Sequence, residues 1–250
     1  MIETLKNAFR IKEIRKKIFM TILLIIIYRI GCFIPVPGIA AGAFAEAVSG
    51  NTFFGIMSAI TGGALSQGTL LAIGISPYIS AQIIMQLLTV AIPGLERLSK
   101  AGEEGKNKIK KITRWVTLAI AIINAVGILF AFRNQELFDA AMFGAAIVVP
   151  EWLLFIVVTI FFVAGSMFTM WLGERITEYG VSNGISMLIF VGIISTAGTS
   201  ILGTFSSIFT NGFEAGGGWT LITFIIILLI VFSFIVFVDG AERKIKVQYA

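Results

Sequence analysis

Histidine is absent from this 250-residue chain and cysteine occurs once, at Cys32. The first absence removes the commonest general base, proton relay and metal ligand. The single cysteine excludes an internal disulfide, leaves the redox compartment undecided, and without histidine cannot build a common zinc site. Charge is scarce as well. Only 13% of the residues are Asp, Glu, Lys or Arg, against about 25% in ordinary domains. None of the 14 acidic residues falls clearly within an apolar stretch; Asp139 and Asp239 lie outside them. Paired buried carboxylates and ion-ligand clusters are therefore missing, and Ser166 has no histidine to activate it as a nucleophile. No cleavable signal peptide is expected, because the amino terminus (LKNAFRIKEIRKK) is a basic amphipathic stretch without a short apolar core and small-residue cleavage site.

What the chain has in abundance is apolar sequence, 57% of residues, gathered into runs of about twenty. This predicts an all-α, polytopic helical membrane protein. Six spans are expected by length: Ile18 to Val36, Thr69 to Ala91, Trp115 to Phe132, Trp152 to Leu172, Ile185 to Phe205 and Trp219 to Val238. Trp115, Trp152 and Trp219 open three of them, as rings anchored at a membrane interface do; burial in a core is the other reading. An even number of spans puts both ends on one side, and that side collects 17 of the 19 basic residues. Only Arg133 falls on the far side and Arg29 within a span, so the positive-inside rule predicts cytoplasmic termini.

One apolar run is broken. Between residues 53 and 92, a glycine-studded piece, Phe53 to Leu65, precedes a longer one. As a helix that piece would measure about 20 Å, against about 30 Å for the hydrocarbon core. It cannot span. Irregular backbone is not tolerated against lipid, so such a segment must sit against protein or in a water-filled cavity, and the chain is expected to enclose a passage. The stretch from Pro37 to Gly68 carries no basic residue, which places the half-length piece on the outer side.

Within the spans a few residues stand out. Arg29 is costly to bury, by about 3 kcal/mol upward, and calls for either a structural partner or a role in transport. Gln86 and Asn124 occupy neighbouring spans, where amides either bind helices together or mark a polar seam at a movable interface. Gly62, Gly63, Gly74, Gly165 and Ser166 permit close helix packing. Pro77, one turn after Gly74, is expected to kink the second span beside the cavity. Ile75 and Ile79 share one helix face, and Ile185 and Ile189 repeat that spacing. Spacing alone does not separate a special site from ordinary packing or lipid contact.

Read in order, RIGCFIPVPGI (29 to 39), GGALSQGTLLAIGISPYISAQIIMQLLTV (62 to 90), MWLGERITEYGVSNGISMLIF (170 to 190) and VDGAERKIKVQYA (238 to 250) resemble the SecY protein-translocation channel family. Motif order, spacing and topology agree along nearly the whole chain, which is similar to the amino-terminal part of that family, six of ten spans. The resemblance implies a SecY-type channel half with a short re-entrant plug helix. It puts the plug on Asn51 to Leu65, with Phe53, Phe54, Ile56, Met57, Ile60, Gly62 and Gly63 as its members. It puts the pore ring on Ile75, Ile79, Ile185 and Ile189, and implies lateral-gate contacts at Gln86 and, less directly, Asn124. Branched apolar side chains at a waist disfavour continuous water yet part around an extended chain, without sequence-specific hydrogen bonds.

The organisation implied is a basic cytoplasmic segment over 1–17, a first five-span half over 18–205 containing the plug at 51–65, and a sixth span with the start of a cytoplasmic loop over 206–250. Lys106, Lys108, Lys110, Lys111, Arg243 and Lys244 are the expected cytoplasmic partner contacts; attraction to anionic lipid headgroups is the other reading of this charge. Implied partners are SecE-like and SecG-like subunits, the SecA motor ATPase, the ribosome, and nascent chains bearing signal sequences. No cofactor, metal, catalysis or direct specific nucleic-acid binding beyond ribosome docking is implied, and the implied location is the bacterial cytoplasmic membrane. Two alternatives use the same residues: a secondary transporter with a midplane solute site, and a non-conducting assembly subunit.

Overall fold

The computed structural model describes residues 11–132, 150–181, 183–213 and 217–241. Among them the chain forms nine helices and no strand, only an isolated bridge between Pro35 and Thr69. It divides into two compact units, Met1–Thr196 and Ala197–Ala250.

In the first unit, α1 (Lys12–Gly31) buries Thr21, Leu24, Tyr28 and Gly31, the single face expected of 3.6-residue periodicity. Pro35 and Pro37 end that run, since the residue before a proline is pushed out of the helical region. Two short helices follow, α2 (Ala41–Ser49) and α3 (Thr52–Ile60). The Asn51 side chain caps α3 by accepting from the Phe53 amide at 3.0 Å. Helix α2 was not expected; its apolar face buries Phe44, whose ring meets Phe132 and Phe162 edge-on at 5.4 and 6.2 Å.

The second expected span is not a continuous helix. Residues 61–75 run as successive turns, and α4 (Ser76–Ala91) begins only afterwards. Pro77 lies in the first turn of α4, where its missing N–H costs nothing, so the expected kink is absent. The reversal occurs earlier, at Gly74, whose φ of +61° suits glycine. A sharper bend follows: α4 meets α5 (Pro93–Lys100) at 101°. The basic stretch between the second and third expected spans is helical, forming α5 and the first turns of α6 (Gly102–Ala131).

The turns at 61–75 are enclosed by protein. Ala64, Leu65, Leu71, Ala72, Ile73 and Ile75 are all buried. Gly165 of α7 (Glu151–Tyr179) packs so closely that a Cβ there would overlap the Leu70 carbonyl. This satisfies the condition on irregular backbone at membrane depth. Helix α6 packs against α4, α5 and α7, and α1 against α7. Its buried Thr113, Thr117, Ala121 and Ala125 recur every four residues, small side chains that bring helices close. The threonine hydroxyls donate back to carbonyls of Ile109 and Thr113 at 2.9 and 2.7 Å.

Helix α8 (Gly184–Asn211) crosses the boundary between the units, and the second unit also holds α9 (Gly218–Asp239). Helix α9 is apolar all round and, apart from Gly218, buries none of its residues, the pattern of a surface made for lipid or another subunit. Among the described residues four helices, α6 to α9, are long and apolar enough to cross a membrane, or five if the bent α4–α5 pair counts as one span. The shortfall from six has a cause: α1 carries Lys12, Arg15, Lys16, Lys17 and Arg29, and α4 has only 16 residues. Trp115, Trp152 and Trp219 are 73%, 64% and 64% exposed, which suits interfacial anchoring and not a core.

Candidate functional site

Ile75, Ile79 and Ile189 line a cavity of about 90 Å³, together with Met57 and Ile60 of α3. Ile75 is the residue just before α4, and its carbonyl accepts from the amides of Tyr78 and Ile79 at 3.0 and 3.2 Å. Ile185 joins the same apolar cluster from the first turn of α8. A Cβ at Gly173 would touch both Ile75 Cδ1 and Ile185 Cγ1, at 3.3 and 3.6 Å. All four isoleucines singled out in the sequence therefore converge on one apolar spot. Tyr28, Thr61 and Ser76 complete the lining, and none of the three was expected.

The short helix lies over this spot. Phe54 and Met57 pack into the core, the Phe54 ring 4.7 Å from that of Phe132. Phe53 and Ile56 face away, 64% and 58% exposed. Gly62 and Gly63, with φ of +70° and +85°, turn the chain off the helix. The carboxyl end of α3 rests on α8. A Cβ on Gly192 would overlap the Ile60 carbonyl, and the Thr196 hydroxyl donates to the Ala59 carbonyl at 3.1 Å. Residues 185, 189, 192 and 196 recur at helical spacing, so one face of α8 carries two of the clustered isoleucines and then the seat of the short helix.

Arg29 stands beside that seat. Its Nη2 donates to Ser195 Oγ at 2.5 Å, and its guanidinium lies 5.5 Å from the Phe33 ring centre. These partners engage Nη2 and the face of the guanidinium.

Gln86 and Asn124 are not brought together. Gln86 is exposed and lines a second cavity, of about 340 Å³, with Gln82, Thr89, Lys106 and Lys110. Asn124 sits 14 residues beyond Lys110 on α6, about 21 Å along the helix at 1.5 Å per residue. Gln82, overlooked in the sequence, donates to the Tyr78 hydroxyl at 3.1 Å. Lys106, Lys108, Lys110 and Lys111 are exposed on the first turns of α6. Arg243 and Lys244 lie outside the described residues. A two-pronged pair also joins helices near this end: Arg114 Nη2 and Nε donate to Glu174 of α7 at 2.6 and 3.2 Å. Among the described residues no cluster of three His, Cys, Asp or Glu could hold a metal ion.

A family model described as SecY matches residues 69–250. The chain belongs to the SecY family. The protein translocase subunit SecY of Streptomyces galbus is 41% identical over the whole chain, and that of Staphylococcus carnosus 36% identical. The chain spans 57% of the length of each of these SecY relatives. Among solved structures, Sec61 in the canine ribosome-channel complex from the endoplasmic reticulum shares its fold, with a TM-score of 0.58 at 21% identity. That alignment covers 93% of this chain and 49% of the other. SecY membership and the four long apolar helices make this a multi-pass protein of the bacterial cytoplasmic membrane.

Proposed function

We propose that this chain supplies the first part of a protein-conducting channel, which passes unfolded polypeptides across the membrane and releases hydrophobic segments sideways into lipid. One observation carries the reading: isoleucines from two separate helices meet the side chains of a non-spanning helix around a single apolar cavity. Ile75, Ile79, Ile185 and Ile189 act as the waist, α3 and its following turn as the plug. Branched side chains of this kind exclude continuous water when closed and slide over any passing sequence without hydrogen-bond readout. Gln86, exposed on α4, serves the edge that opens sideways, and Asn124 a separate level of the same seam. The exposed lysines of α6 face the cytoplasm, with the chain termini on the same side, and meet a ribosome, a SecA motor or anionic lipid. SecE-like and SecG-like subunits cover remaining apolar faces, and this chain carries out no covalent chemistry.

Crosslinking in the full-length channel tests the waist. Photoreactive side chains at Ile79 and Ile189 should label a stalled secretory chain, while one at Ile123, 69% exposed on α6, should label lipid. Labelling confined to lipid at all three positions removes the waist assignment.

A further inference from the structure

The geometry points to Arg29 as the positioning residue that holds the plug closed, through its positive charge at the carboxyl end of α3. The inference rests on the reading of α3 as a plug. Helix α3 ends at Ile60, and the turn that follows brings Gly62 against the guanidinium: a Cβ on Gly62 would overlap Nη1. The last carbonyls of a helix carry its negative partial charge, so a cation here is attracted to the seated helix itself. Low surrounding dielectric strengthens that attraction, and little water competes for it.

The remaining contacts of Arg29 keep the charge in place. Its Nη2 is tied to Ser195 of α8 at 2.5 Å, and its face lies over Phe33. Nη1, by contrast, is buried with no hydrogen-bond partner among the described residues, on the side that Gly62 approaches. The ties to Ser195 and Phe33 do not involve α3. Only the interaction with the carboxyl end of α3 is specific to the closed state, and only such differential contacts bias an equilibrium. Glycine at 62 is required on both sides of the contact, since Gly192 Cα would stand 3.3 Å from an added Cβ.

Resting ionic conductance of the full-length channel with its partner subunits, in a planar bilayer without a translocating chain, measures the closed state. Arg29→Gln should raise it about tenfold, equivalent to about 1.4 kcal/mol in the closed-to-open balance. Arg29→Lys keeps the charge and should stay within about twofold of the native protein. A native resting conductance in Arg29→Gln overturns the proposal, and so does an Arg29→Lys variant as leaky as Arg29→Gln, which would mean that shape and not charge matters. Should Arg29→Gln fail to accumulate, Gly62→Ala decides: it displaces the guanidinium from the plug without removing the charge, and a native resting conductance there also overturns the proposal. Labelling from Ile79 keeps the two readings apart. If a stalled chain is labelled but resting conductance is insensitive to Arg29, the channel stands and the Arg29 role falls; if no chain is labelled, the channel reading itself has failed.

Discussion

At the scale of single residues, this protein depends on atoms that are missing from side chains. Gly165 lets the Leu70 carbonyl come into contact with α7, where a methyl group would overlap it. Backbone cannot retreat as a flexible side chain can, so Gly165→Ala should destabilise the folded protein by about 1–3 kcal/mol, the usual range for overpacking. A thermal unfolding scan in detergent checks this, with Gly127→Ala as control because an added Cβ there meets nothing within 4 Å. The four isoleucines were legible in the sequence as pairs but not as a site. Their spacing is that of any apolar helix face, and only motif resemblance separated them from the rest. Arg29 was legible as an anomaly, whereas Ser195, its partner 166 residues away, gave no signal at all. A hydroxyl in a span satisfies itself on its own helix so often that it does not announce a distant contact.

Elements were legible wherever length alone decides. Helices α6 to α9 fall on the expected spans because about twenty apolar residues in a membrane have one stable conformation. The misreading came at 61–75, where an apolar stretch folds as buried turns. Protein enclosure removes the demand for helix, and hydropathy cannot distinguish enclosure by lipid from enclosure by neighbours. Pro77 was misread for the same reason. It begins α4 instead of interrupting it, so Pro77→Ala should shift stability by less than about 1 kcal/mol, mostly through the unfolded state. An interior kink would instead have made the change structural, visible as altered crosslinking between α4 and α6. The Arg114–Glu174 pair joins the middle of α6 to the last turns of α7 but is half exposed on its arginine side. A double-mutant cycle with Arg114→Gln and Glu174→Gln should give a coupling of at most about 1 kcal/mol, falling with added salt.

For the whole molecule, sidedness is the property that charge alone predicts. The native Cys32 is 3% exposed, which makes it a silent background for single-cysteine labelling. With both positions tested in intact cells, Glu46→Cys on α2 should react with a membrane-impermeant maleimide added outside, and Lys108→Cys on α6 should react only after the membrane is opened. The reverse pattern would invert the proposed topology. The fold class and the four long apolar helices could be read from the chain without a structure, whereas α2 and α5 could not. The meeting of the four isoleucines with the short helix could not, because it depends on turns whose path is fixed by what surrounds them.

Helix α8 presents Ile185, Ile189, Gly192 and Thr196 along one face, with the last two pressed on the backbone of α3. With the isoleucines as the proposed waist and α3 as the proposed plug, such a face would work like a camshaft. A chain that pushed Ile189 aside would then also withdraw the shelf under Ile60, so that widening the bore and lifting the stopper would be one movement. No separate trigger would then have to tell the stopper when to leave, and once the cargo had gone the same shaft would return both parts together.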